Sequence, residues 1–265
     1  MGGSSGTGYV KDLYGYSPSE NKWAALASYK ESAYGVSVCT QDDNVYAVAG
    51  ITSARWYTEL YTYSSNTWTQ FASLESDKKM ECIFPTSFVY KDSIILIGGE
   101  SLGESNLAVR DTIYRYDMIN QEWAGCGNFP VPIKAGVSIT SGDSVFVGLG
   151  NKPEDGPDER GLWINTSGNC SNWTRLAETP PEMKNVCSGV LFKDCLYYID
   201  NGGVIWRFNL TTKDWSKMSS FPKKLTNTPV DYRIFLLNDT IYIFLINYYS
   251  SYLKTYDPLW DVPQK

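Results

Sequence analysis

Histidine is absent from all 265 residues. Its absence excludes Ser-His-Asp triads, His-ligated zinc, copper or haem, and imidazole general bases. No run approaches the roughly 20 apolar residues of a membrane helix, and no stretch keeps a helical hydrophobic period. There is no Cys-x-x-Cys pair among the six scattered cysteines, Cys39, Cys82, Cys126, Cys170, Cys187 and Cys195. A zinc site would need distant thiols to converge. P-loop and HExxH motifs are missing as well. Positive charge is scarce: 23 Lys and Arg stand against 29 Asp and Glu, for a net charge of -6. That balance argues against non-specific nucleic-acid binding, and the pairs Lys78-Lys79 and Lys223-Lys224 are too small for a nucleic-acid footprint. The polar, glycine-rich start, Met1 to Gly8, lacks the apolar core of a signal peptide. It reads as an initiator methionine placed at an internal domain boundary.

What is present is aromatic. The chain is 43% hydrophobic and 15% aromatic, with 20 Tyr and 9 Trp against 10 Phe. It can bury a sizeable core and is not compositionally disordered. Its length suits one large domain or two small ones. A chain this long does not need disulfide staples, so reduced, mostly buried thiols are expected. N-x-S/T sequons at Asn165, Asn169, Asn172, Asn209 and Asn238 are a weak excess over chance. A cytoplasmic location is the expectation, with a secreted chain as the alternative.

The most informative feature is an internal repeat. Trp23, Trp68, Trp123, Trp173, Trp215 and Trp260 recur at intervals of 45, 55, 50, 42 and 45 residues. Most follow a short turn after an aromatic run such as Leu13-Tyr14-Gly15-Tyr16, Leu60-Tyr61-Thr62-Tyr63 or Ile113-Tyr114-Arg115-Tyr116. About twenty residues after each Trp comes a pair of β-rich runs, the second usually ending near glycine. Asn44–Gly50, Ser93–Gly99, Ser144–Gly150 and Cys195–Gly203 are of this kind, whereas Thr240–Ile246 has no glycine. The preceding runs, Gly35-Val36-Ser37-Val38-Cys39 and Gly136-Val137-Ser138-Ile139, are small and apolar, as an innermost strand facing a crowded axis should be. Each unit thus has four short strands, and tandem units of this size indicate an all-β propeller of four-stranded antiparallel blades.

At this point the residues resemble the kelch repeat: a glycine doublet ends the second strand, then an aromatic follows, then a Trp. Gly98-Gly99, Tyr116 and Trp123 carry the best match, and Trp23, Trp68, Trp173 and Trp215 take the same structural role. The doublet is degraded to Ala49-Gly50 and Leu149-Gly150 elsewhere. The resemblance covers essentially the whole chain, read as a single domain over 1–265. Residues 1–26 form the outer half of one blade, followed by repeats at about 27–73, 74–128, 129–177, 178–220 and 221–265. Five complete units and a half blade suggest a segment of a longer protein with a six-blade parent ring, or else a native five-blade ring.

In an antiparallel blade, the loop from strand two to strand three and the link from strand four onward emerge on one side. Recognition concentrates on such loops. Here they are Ile51–Thr58, Glu100–Arg110, Asn151–Arg160 and Asn247–Tyr252. Arg, Trp and Tyr dominate interface hot spots, so Arg55, Trp56, Tyr57, Tyr248 and Tyr249 are candidate partner contacts, with Glu104, Asn106, Arg110, Asp158 and Arg160 beside them. Trp56 reads equally well as inter-blade packing. The charged third loop has solvation as its plainer reading.

The resemblance is strongest to the propellers of BTB–Kelch ubiquitin-ligase substrate adaptors. It implies a binding module that captures a substrate protein or peptide on this loop face. In that family, BTB and BACK domains, which lie outside this chain, engage cullin-3. No catalysis, cofactor, metal, nucleic acid or membrane is expected. Kelch-like propellers also include a copper oxidase, whose His ligands this chain lacks, and sugar-processing enzymes. Two acids at glycosidase spacing would be needed for the latter, and no pair in the repeat stands out.

Overall fold

The computed structural model describes residues 4–5, 8–53, 56–73, 81–102, 107–151, 161–167, 170–221, 231–246 and 251–259. Every regular element among them is a strand. The chain packs as two compact units, one of Met1–Ala135 with Lys152–Pro157 and one of Gly136–Asn151 with Asp158–Lys265.

The first unit opens with the short hairpin β1 (Ser4–Ser5) and β2 (Gly8–Tyr9), then the two-stranded sheet β3 (Leu13–Ser17) and β4 (Lys22–Leu26). A four-stranded antiparallel meander follows: β5 (Ser37–Gln41), β6 (Asn44–Ile51), β7 (Trp56–Ser64) and β8 (Thr67–Ser73). The next sheet is built from β9 (Thr86–Tyr90) and β10 (Ser93–Ile97). A separate hairpin, β11 (Glu100–Leu102) and β12 (Leu107–Val109), then leads into β13 (Thr112–Asp117) and β14 (Glu122–Asn128). The strand order of that sheet is β14-β13-β10-β9, and its first strand β9 lies against β5.

The second unit repeats the pattern twice. One sheet is β15 (Val137–Ser141), β16 (Ser144–Gly148), β17 (Gly161–Asn165) and β18 (Thr174–Glu178). The other is β19 (Val186–Phe192), β20 (Cys195–Asp200), β21 (Val204–Asn209) and β22 (Trp215–Ser220). A three-stranded sheet of β23 (Asp231–Leu237), β24 (Thr240–Ile246) and β25 (Ser251–Tyr256) completes the described residues. The first strands again meet, β15 with β19 and β19 with β23. Four-stranded meanders joined side by side through their first strands are propeller blades, and the chain is a β-propeller.

The residues explain the strands. Side chains alternate across a strand, so along β20 Leu196 and Tyr198 enter the core shared with Ile139, Phe146 and Leu162. Tyr197 and Ile199 enter the opposite one, with Tyr232, Ile234 and Ile243. A strand covered on both faces is apolar at every position, which is why the second runs read as continuous hydrophobic stretches. Tight turns carry polar residues at positive φ: Ser65 (49°) and Asn66 (58°) join β7 to β8, and Asn238 (48°) and Asp239 (56°) join β23 to β24.

Three local features were not expected. The third and fourth strands slip register by one residue in every four-stranded sheet, at Leu60/Tyr61, Ile113/Tyr114 and Leu162/Trp163, and between Val204 and Trp206. Such bulges raise the local twist of a blade. The first expected loop is shorter than Ile51–Thr58, because Trp56 pairs with Ile51 and Tyr57 with Gly50 on β6 and β7. The expectation of reduced thiols fails at two positions. Cys39, Cys82, Cys187 and Cys195 are free, but Cys126 and Cys170 are disulfide-bonded. Cys126 is the extra residue of the β14 bulge, between Gly125 and Gly127. Regular strand alternation does not dictate its direction there, and cysteine spacing alone does not reveal pairing.

Candidate partner-binding face

The glycine doublet organises the described part of the face. Gly98 and Gly99 have φ of 65° and 89°, a region closed to most side chains. The Gly98 N–H donates to the Thr112 carbonyl (3.0 Å) and the Gly99 N–H to the Ile133 carbonyl (2.8 Å). The Arg110 N–H donates to Gly99 O (2.9 Å), and the Ile133 N–H donates back to Arg110 O (3.0 Å). The doublet thereby ties β10 to the link after β14 and sets Arg110 at the end of the β11–β12 hairpin.

Arg110 is half-buried, and its Nε donates to Oγ of Ser101, a residue only 1% exposed. Beside it the Lys134 ammonium meets Glu100 Oε1 at 2.7 Å. Cys82 lies against Gly99, whose missing Cβ leaves room for its sulfur. Burial pushes the Cys82 thiol up to about 12, with nearby Arg110 partly opposing it. Cys82 is therefore a protonated, unreactive packing thiol at neutral pH. Burial pushes Cys39 to about 12 as well, a hydrogen bond with Ser87 pulling the other way. The guanidinium nitrogens of Arg110 beyond Nε have no partner among the described residues. They offer a planar fork suited to a carboxylate or backbone carbonyls.

Of the other expected contacts, Arg55, Glu104, Asn106, Asp158, Arg160, Tyr248 and Tyr249 lie outside the described residues. Trp56 and Tyr57 are placed by backbone on β7, with their side chains likewise outside the description.

The repeat residues pack in pairs. Ring centroids are 5.1 Å apart for Tyr16 and Trp23, 5.1 Å for Tyr63 and Trp68, 5.2 Å for Tyr116 and Trp123, and 4.9 Å for Phe208 and Trp215. Trp173 sits one residue before β18, and its Nε1 donates to the Cys170 carbonyl (3.2 Å). Trp23 departs from the rest at 43% exposed, because the β3–β4 sheet has only two strands among the described residues.

One set of residues escaped sequence reading. Ser37, Ser87, Ser138 and Ser188 occupy matching places on the first strands, opposite Val48, Leu96, Val147 and Ile199. Ser37 and Ser87 hydroxyls meet across neighbouring blades at 2.7 Å, and Ser188 Oγ accepts the Ile234 N–H at 2.6 Å. These hydroxyls join adjacent blades where the runs seemed merely small and apolar. The signal was the recurring Gly-Val-Ser of Gly35–Ser37 and Gly136–Ser138.

No protein-family model matches this chain, and no curated protein resembles it closely enough to count as a relative. Among the described residues no group of three or more Cys, Asp or Glu is placed to hold a metal ion.

Proposed function

We propose that this propeller is a protein-interaction module that captures a protein or peptide with the loops following the second strand of each blade. The observation that carries the reading is the anchoring of Arg110 at the base of the β11–β12 hairpin, with its fork unpartnered among the described residues. A preorganised arginine loses little entropy on binding. Following the resemblance to BTB–Kelch propellers, the captured protein is a cytoplasmic substrate for a cullin-3 ubiquitin ligase, reached through domains outside this chain. The role is binding rather than catalysis. The test is affinity capture from cytosolic lysate, comparing the wild type with the Arg55→Ala, Tyr57→Ala, Arg110→Ala triple variant after both are shown to melt alike. A partner confirmed by direct titration should lose about 2 kcal/mol or more of binding. Equal binding by both proteins moves the site off this face.

A second reading is favoured by the disulfide-bonded state of Cys126 and Cys170, since disulfides persist in oxidising compartments. In it the chain is a secreted or ectodomain propeller. The sequons then divide by structure. Asn165 is 1% exposed, its amide nitrogen donates to Ser171 O (2.7 Å), and its oxygen accepts from the Ser167 N–H (2.9 Å). A glycan there is incompatible with the fold. Asn172 is exposed in the loop before β18 and Asn238 in the β23–β24 turn. Secreted expression should yield protein whose mass falls on glycosidase treatment, with glycans at Asn172 and Asn238 and none at Asn165. Denaturation without reductant should leave two of the six cysteines unalkylated. A chain secreted without glycans and with six free thiols would rule this reading out.

A further inference from the structure

A groove of about 360 Å³ opens beside β8, away from the glycine doublet, and Lys30, Tyr61, Asn66, Thr67, Trp68 and Gln70 line it. Its floor is fixed. Tyr29, 2% exposed, packs edge-on against both Tyr61 (5.2 Å) and Trp68 (5.1 Å). The Trp68 Nε1 donates to the Ala27 carbonyl at 3.1 Å.

The polar atoms of the groove are sorted by their internal bonds. Asn66 Oδ1 accepts the Ala27 N–H at 2.7 Å and the Tyr63 hydroxyl at 2.8 Å. A backbone N–H can only donate, so the amide must keep this orientation, and its NH₂ faces outward. The Lys30 ammonium donates to the Tyr61 hydroxyl (3.0 Å) and faces Gln70 Oε1 (3.4 Å), which leaves the Gln70 nitrogen as a donor. Tyr61 gives its own proton to the buried Glu59 carboxylate (2.5 Å). The side-chain acceptors Asn66 Oδ1 and Gln70 Oε1 are therefore engaged from within. What remains for a ligand is a cation, two amide donors and an aromatic wall.

We infer that this groove binds the carboxylate side chains of an acidic peptide segment. A ligand of cationic or donor character would meet Lys30 and find those two acceptors already occupied, whereas a carboxylate brings the acceptor oxygens that the groove lacks. Glu31 and Glu59 lie beside Lys30 in the adjoining cavity, so no net positive patch surrounds the groove. The groove therefore gives specificity for a short acidic stretch rather than general attraction. That the ligand is a peptide rests on the protein-interaction reading above. The site itself is separate from Arg110.

The test uses the ¹⁵N-labelled full chain, titrated with a glutamate-rich peptide and with its glutamine isostere. The glutamate peptide should shift the side-chain amide signals of Asn66 and Gln70, and the isostere should not. Added salt should weaken the binding. Lys30→Gln should weaken it by about tenfold or more with an unchanged melting temperature, since Lys30 is exposed, while Arg110→Ala leaves it intact. Binding unaffected by Lys30→Gln, equal binding of the isostere, or inorganic phosphate binding as tightly as the peptide would each overturn the assignment. Absence of peptide binding would overturn it too, and the lysate capture would still decide the loop-face reading.

Discussion

Gly98→Ala is expected to unfold the first unit or lower its melting temperature by about 10 °C or more. A Cβ at Gly98 would lie 2.1 Å from the Ile133 carbonyl oxygen and 2.8 Å from the Arg110 carbonyl oxygen, both backbone atoms. Neither can swing away as a flexible side chain would. The φ of 65° adds roughly 1 kcal/mol for a non-glycine residue. Relieving the overlap means separating Gly98 from Ile133 and Arg110. That breaks the bonds from Gly99 N to Ile133 O and from Ile133 N to Arg110 O, at about 1 kcal/mol each and more where a buried group is left unpaired. The sum, on the order of 4 kcal/mol, is large against a total stability of about 5–15 kcal/mol. Gly125→Ala is the control. Its added Cβ meets nothing within 4 Å and its φ is not positive, so the melting temperature should stay within about 2 °C. Thermal unfolding of the two variants decides the matter, and equal melting would refute the role assigned to the doublet.

Asp200→Ala should destabilise the second unit by a similar amount. Asp200 is 1% exposed at the end of β20. Its Oδ1 accepts the N–H groups of Gly202 (2.8 Å) and Val204 (3.1 Å). Its Oδ2 accepts Trp206 Nε1 (3.0 Å) and the Lys184 N–H (3.3 Å). One carboxylate thus satisfies four donors and closes the turn from β20 to β21, while the indole of Trp206 secures it from the core. Removing it leaves those donors in a small cavity, each losing about 1 kcal/mol or more. The expected loss in urea unfolding is about 4 kcal/mol. Asp200→Asn keeps one acceptor oxygen but turns an NH₂ toward two donors, so it should fall between alanine and wild type. Trp206→Phe removes a single donor but leaves a small cavity where the second ring of the buried indole packed, and should cost about 2–3 kcal/mol. If Asp200→Asn proved as stable as the wild type, the four-donor account would fail.

These two sites differ in how visible they are without coordinates. The Gly98-Gly99 doublet was legible because glycine favours that backbone, although Ala49 (φ 59°) and Leu149 (φ 61°) hold the same place in two other sheets, and its distance from Tyr116 and Trp123 repeats the motif. Asp200 occupies the corresponding region of its own sheet, but as one carboxylate among many it carries no mark in the sequence. The strands were legible for a related reason. Burial on both faces makes β10, Ser93–Ile97, buried throughout, and the turn residues between runs are distinctive. The candidate face was legible only as loops. Arg110 could be picked by residue type, yet its bond to Ser101 depends on how the β11–β12 hairpin closes, and the ion pair of Lys134 with Glu100 joins residues far apart in sequence.

The sequence by itself determined the local pattern: period-two strands, their turns, the spaced tryptophans and a propeller of four-stranded blades. Each follows from backbone and burial rules that act over a few residues, and the absence of histidine removed whole classes of chemistry. Only the tertiary structure decided which side chains meet. It paired Ser37 with Ser87 across two blades, and it left Cys126 and Cys170 disulfide-bonded while Cys82 was buried. It also turned the Asn66 amide outward by engaging its oxygen from Ala27. Such contacts depend on blade orientation and bulge position, which arise from packing between sheets and leave no short-range trace along the chain.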